Sequence, residues 1–133
     1  MAGLEVHLVT PEREVWAGEA DFVTARGVDG DLGVLPGHAP LLAALAVGPV
    51  FIDSGGSRTA VAVDGGFLHV AHDEDVTRVD ILAEHAVLPE ELAGDDAESR
   101  ERRAEELRSE DRLDEAREEQ AKAAVRRRVA ENG

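Results

Sequence analysis

His69, His72, Asp73 and Asp75 form the densest gathering of potential metal ligands in the chain. Side chains of these types could hold a divalent cation if they converged. Their spacing argues against it. His69 and His72 are three apart on a predicted strand, so they point to opposite faces and cannot chelate together without a bulge. The reading as solvated strand-end and turn residues is preferred, and a metal-dependent enzyme built on this set is the least favoured function. His7 and His85 stand alone, where a surface or satisfied-core role is expected.

Nucleophilic chemistry is poorly supplied. The chain has no cysteine, and its serines (Ser54, Ser57, Ser99, Ser109) lie in a turn or in the later, helix-like half. No Gly-x-Ser-x-Gly elbow is present. The Gly55-Gly56 and Gly65-Gly66 pairs lack the Lys-Ser/Thr of a phosphate-binding loop and precede strands rather than helices, so they read as hairpin glycines. The expectation is no catalytic residue, no cofactor and no metal site.

One stretch stands apart: Gly30-Asp31-Leu32-Gly33-Val34-Leu35-Pro36-Gly37-His38-Ala39-Pro40-Leu41-Leu42. Three glycines and two prolines in thirteen residues fix an unusual backbone path, with apolar residues to anchor it. A corner between two sheets explains the glycines and prolines. It does not explain a histidine in an otherwise apolar loop.

The elements that must position these residues fall into two groups. All five prolines lie at or before Pro89, and eleven of the thirteen glycines lie at or before Gly66. Beyond Pro89 the chain is rich in Ala, Glu and Arg, which favour helix. The boundary is placed at Leu88-Pro89, giving a domain over 1–88 and another over 89–133. The first reads as short strands: Leu4–Leu8, Ala20–Thr24, Val50–Asp53, Thr59–Val63, Phe67–Val70 and Val76–Leu82. Ser54-Gly55-Gly56-Ser57 is a hairpin signal, and Asp64-Gly65-Gly66 reads as a turn. Short strands with frequent turns predict an all-β sandwich or flattened barrel. The second predicts two antiparallel helices over about Asp96–Arg108 and Leu113–Ala130, with Asp111 capping the second. Their apolar stripe is thin: Ala97, Ala104 and Leu107, then Leu113, Ala116, Ala121, Val125 and Val129. Alanine buries little area, so the hairpin is expected to dock weakly and to move.

Composition narrows the partners. The 133 residues carry 14 basic and 29 acidic side chains, a net charge of −15. Such a chain is repelled by nucleic acid and anionic lipid, and a charge-steered partner should be basic. The β half, with 14 acids against 4 bases, holds most of the excess. Met1–Glu5 lacks the basic start and apolar core of a signal peptide. The longest apolar run, around Ala39–Val47, is well short of the roughly 20 residues of a spanning helix, so no direct lipid insertion is expected.

The stretch from Gly30 to Leu42 closely resembles the signature of ATP synthase epsilon subunits, called delta in mitochondria. Pro11–Gly18, Gly48-Pro49-Val50, Asp64–Val70 and Val76-Thr77 to Ala83-Glu84 resemble flanking parts of that family in the right order. The resemblance covers essentially the whole chain, closely to about Leu92 and more loosely beyond. It implies a β-sandwich of about ten strands followed by a two-helix hairpin. The implied function is that of a non-catalytic central-stalk (rotor) subunit, coupling proton flow to ATP synthesis and restraining ATP hydrolysis when the hairpin extends. The implied partners are the gamma subunit, the c-subunit ring and, through the extended helices, the catalytic subunits. The implied location is peripheral, on the cytoplasmic face of the bacterial membrane. By position, Asp31 is the acid that contacts the c ring, and His38, with Pro36 and Pro40, lies towards gamma. The alternative reading is a free-standing ligand-binding β-sandwich with a helical tail.

Relatives that bind ATP on this subunit carry Ile/Leu-Asp-x-x-Arg-Ala at the head of the first helix. Here the aligned residues are Leu92-Ala93-Gly94-Asp95-Asp96-Ala97. Ala93 replaces the Asp, and Asp96 puts a carboxylate in place of the Arg. Leu113–Glu118 has similar spacing but falls on the second helix and ends in Glu. The expectation is no nucleotide binding.

Overall fold

A computed structural model of the chain describes residues 3–132, without the side chains of Ala93, Gly94 and Asn132. The leader reading on Met1 and Ala2 and the replacement at Ala93 therefore lie outside the described residues. Eight strands come first: β1 (Leu4–Val9), β2 (Glu14–Ala20), β3 (Phe22–Gly27), β4 (Gly30–Val34), β5 (Leu41–Ser54), β6 (Ser57–Asp73), β7 (Val76–Ala83) and β8 (Ala86–Val87). A 3-10 turn (Pro89–Gly94) leads to α1 (Ala97–Ser109) and α2 (Leu113–Asn132). This is the β-sandwich with helical hairpin that the punctuation predicts.

The strands hydrogen-bond in the order β2-β1-β7-β6-β5-β3-β4, with β8 on β6; β1 and β7 run parallel, while the other pairs are antiparallel. Alternation sets the core. Leu4, Val6 and Leu8 on β1, Val61 and Val63 on β6, and Val79 and Ile81 on β7 are buried together with Val23, Val50 and Ile52. Branched aliphatic side chains suit such a pleated, half-buried surface. With few aromatic residues available, they fill the space between the layers.

Strands β5 and β6 are long because each serves two regions of the sheet. Residues 66–73 of β6 pair with β7, whereas Ala62 and Val63 pair with β8. Runs that read as separate short strands are thereby continuous, which accounts for eight strands where about ten were expected. Asp64-Gly65-Gly66 is likewise a bend within β6, not a hairpin turn. Gly66 has φ +138°, and a Cβ there would lie 2.1 Å from the Leu82 carbonyl oxygen. Only glycine lets β6 press this closely on β7 while it bends.

The helices begin and end close to the predicted limits. Asp96 caps α1 by accepting from the Ser99 N–H at 2.8 Å. Asp111 does not cap α2. It sits in the left-handed region (φ 62°) two residues before that helix and donates its N–H to Arg108 O, closing the interhelical turn. Its short polar side chain makes that conformation tolerable. Leu113 and Ala121 of the predicted stripe are exposed, and Ala123 is buried instead.

Candidate functional sites

Three features of the structure invite a functional reading. The first is the β3–β4 hairpin. Asp31 lies on β4 directly across from Arg26, with Arg26 Nε donating to Asp31 Oδ1 at 3.3 Å. Its side chain is 76% exposed. The acid therefore stands beside the hairpin turn, aligned by a cross-strand partner and open to solvent.

The second is the loop from Leu35 to Pro40, which leaves the other end of β4. Pro36 and Pro40 are exposed, and His38 is half-buried. Three bonds hold the loop. His38 N donates to Leu35 O at 3.0 Å, Gly37 N donates to Thr77 Oγ1 at 2.8 Å, and His72 Nε2 bonds the His38 carbonyl oxygen at 2.6 Å. His38 Nδ1 in turn meets Ala39 O at 2.7 Å. His72 is thus a brace for the loop. Its expected companion His69 pairs across the sheet with Asp80, and among the described residues no three His, Asp or Glu side chains converge as a metal site would need. The outer face of β5, β6 and β7 carries exposed apolar side chains. Phe67 and Leu82, register partners on β6 and β7, are 52% and 53% exposed, and Leu42 on β5 is 69% exposed. Phe67 and Leu82, with Val9 and Pro11, line a concavity of about 390 Å³.

The third feature joins the two halves of the chain. Helix α2 sets Val125 and Val129 against Phe51, Ala60, Ala62 and Val87. Ala60, Ala62 and Asp64 alternate on one face of β6, and the small alanines let the helix approach. At the end of that row Asp64 meets Arg126, which projects from the same stripe as Val125 and Val129. Arg126 Nη1 and Nη2 donate to the two Asp64 carboxylate oxygens, both at 2.8 Å. Nε and Nη2 also donate to Asp95 at 3.1 and 3.0 Å, and Nη1 donates to Lys122 O. All five guanidinium donors are used. Arg126 is fully buried and the Asp64 side chain is 3% exposed.

The network extends outward. Asp95 accepts from Arg100 at 2.8 and 3.0 Å, Arg100 reaches Glu119, and His85 Nε2 lies 3.0 Å from Asp95. Burial alone would raise the Asp95 pKa. The hydrogen bonds from Arg100, Arg126 and His85 outweigh it and hold the carboxyl well below the usual carboxylate range. For Arg126 the burial penalty is overcome by Asp64 and Asp95, and its pKa is raised. The sequence contains signs of this pair: a lone Asp ending an apolar run on β6, and an Arg on the apolar stripe of α2. Neither sign says that the two meet.

Separate ion pairs engage other cations near the head of α1. Arg102 pairs with Glu98, Arg103 with Glu106 and Arg127 with Glu101. The hydroxyls of Ser54 and Ser109 donate to the Glu19 and Glu106 carbonyls. No helix among the described residues is long and apolar enough to cross a membrane.

Comparison with known proteins now gives the geometry a family. Residues 3–89 match the model of the ATP synthase delta/epsilon chain β-sandwich domain. An ATP synthase epsilon chain of Frankia casuarinae is 54% identical over 64% of this chain and 96% of its own length. One from Corynebacterium diphtheriae is 39% identical over 97% of this chain and 98% of its own. Among solved structures, a chain of the Euglena gracilis mitochondrial ATP synthase, determined as OSCP/F1/c-ring, matches with a TM-score of 0.68 at 27% identity, over 99% of this chain and 79% of that one. A domain match over most of the β half, and a relative aligned from end to end, together place the whole architecture: the chain belongs to the ATP synthase delta/epsilon family.

Proposed function

We propose that this chain is a non-catalytic rotor subunit of ATP synthase, seated between a gamma subunit and the c-subunit ring. Its family makes it a component of the synthase's central stalk, and the finer assignment of surfaces rests on the exposed outer face. The observation that carries it is the group of exposed apolar side chains Leu42, Phe67 and Leu82 on the outer face of β5, β6 and β7. Large apolar side chains grouped on one exposed sheet face are a signature of a protein interface. Gamma is assigned to this face and to the loop of His38, Pro36 and Pro40. The c ring is assigned to the β3–β4 hairpin, where Asp31 offers a carboxylate to the basic polar loops of a ring. Residues 89–133 are assigned as a separable regulatory hairpin that reaches the catalytic subunits when extended. In a bacterial cell this places the chain on the cytoplasmic face of the membrane, held there by its partners.

Co-purification with gamma tests the reading. The parent chain should elute with gamma as a 1:1 complex, and the Phe67→Glu, Leu82→Glu double variant should elute alone while keeping its fold. A complex unaffected by two carboxylates at these positions would remove gamma from the outer face.

A further inference from the structure

The apolar contact between α2 and the sheet is small. Val125 and Val129 meet Phe51, Val87 and two alanines, with Val47 and Leu92 partly buried against the same cluster. Into this modest interface the fold inserts a fully buried charge. Arg126 bonds Asp64 on β6, Asp95 just before α1, and Lys122 O on its own helix, so one guanidinium ties the sheet to both ends of the hairpin's fold.

Two physical facts decide what such an arrangement does. A fully satisfied buried ion pair contributes little net stability, because its attraction is offset by the water both charges give up. One-sided loss is costly, because the remaining charge stays buried and uncompensated. The pair therefore punishes any wrong placement of α2, in which Arg126 would be buried away from Asp64. Yet it holds the correct placement only weakly, since both charges regain water when the helix leaves.

We infer that Asp64 and Arg126 form an ionic latch that fixes where the helical hairpin docks while keeping its release easy. This rests on the reading of residues 89–133 as a separable hairpin. An apolar pair at the same two positions would hold the hairpin harder, so the charges make the docked state specific and reversible. Asp95 closes the latch from the other side, bonding Arg126 from the segment that leads into α1.

Amide hydrogen exchange on the isolated full chain tests the latch without any partner. Asp64→Asn should speed exchange in residues 113–131 by about tenfold or more, with β1, β6 and β7 little changed, the mark of a local opening. The Asp64→Leu, Arg126→Met double variant should exchange in that helix no faster than the parent. Unchanged hairpin exchange in Asp64→Asn would overturn the latch, and so would acceleration spread evenly over the strands. If Asp64→Asn does not fold, the double variant decides alone: a hairpin that exchanges faster than the parent's sinks the proposal. Binding to gamma is a separate readout. A latch that fails with gamma binding intact leaves the rotor assignment standing, and a working latch with no gamma binding leaves only the device.

Discussion

His72 and His38 are joined across 34 residues by one short bond, from the His72 ring Nε2 to the His38 backbone carbonyl oxygen at 2.6 Å. The strand β6 thereby props the loop that carries His38, Pro36 and Pro40, and Thr77 on β7 props it from beneath through Gly37 N. A loop presenting a contact surface binds better when it is already ordered. His72→Ala should cost about 1 kcal/mol of stability and weaken gamma binding without abolishing it. Denaturant titration and a binding isotherm check the two parts. Gamma affinity equal to the parent's would separate the brace from the interface.

Asp31 stands across β3–β4 from Arg26. Asp31→Lys removes the proposed carboxylate contact and sets a cation opposite the arginine. Exposed substitutions of this kind change stability by roughly 0.5 kcal/mol or less. Coupling should suffer instead. In inverted membrane vesicles, ATP-driven proton pumping should fall relative to ATP hydrolysis, while the melting curve of the isolated chain barely moves. Equal coupling in variant and parent would take Asp31 out of the c-ring contact.

The charge network gives the hairpin a pH dependence of definite sign. Asp95 faces Arg100 on α1, Arg126 on α2 and His85 from the segment after β7, while Asp64 faces Arg126 from β6 and Glu119 faces Arg100. The Asp95 pKa is depressed in the folded chain. Its stabilising contribution is therefore present above its unfolded value of ~3.9 and is lost as pH falls from there towards the folded pKa. Glu91 is shifted in the same direction, chiefly by its bond from Arg13. The hairpin should stay docked across neutral pH and release below about pH 4, ahead of the β core. Exchange or spin-label distances recorded against pH would show this order. Simultaneous loss of hairpin and strands would contradict it.

Removing residues 89–133 uncovers Phe51, Ala60, Ala62, Val87 and Asp64 but leaves the inner cluster of β1, β3, β5, β6 and β7 untouched. The fragment 1–88 should fold and bind gamma, at a cost of roughly 3 kcal/mol for the apolar surface returned to water. Circular dichroism with amide exchange is the check. An unfolded fragment would make the helices part of the core.

The arginines around the head of α1 are engaged: Arg100 with Asp95 and Glu119, Arg126 with Asp64 and Asp95, Arg102 with Glu98, and Arg127 with Glu101. Asp96 is held ionised as the cap of α1, by the Ser99 N–H first. A polyanion would have to break these pairs and face carboxylates. Calorimetry of the isolated chain with ATP should give no saturable heat; a sub-millimolar constant would refute this.

Preferences that act over a few residues are legible in the sequence of this protein. Alternation in Leu4–Leu8 and Val76–Leu82 set strands, Ser54-Gly55-Gly56-Ser57 set a hairpin, and the loss of Gly and Pro after Pro89 set two helices. The resemblance of Gly30–Leu42 to a family signature fixed where Asp31 and His38 stand along the chain. Tertiary structure decided what depends on distance in space. It turned Asp64-Gly65-Gly66 from a turn into a bend, since only the neighbouring β7 backbone makes Gly66 obligatory. It gave His72 to the His38 loop, 34 residues away, instead of to a ligand set with His69. It joined Asp64 to Arg126 across 62 residues. Charge alone, read along the chain, marks both as surface residues, and only their mutual burial, with all five guanidinium donors satisfied, makes the interior tolerable for them.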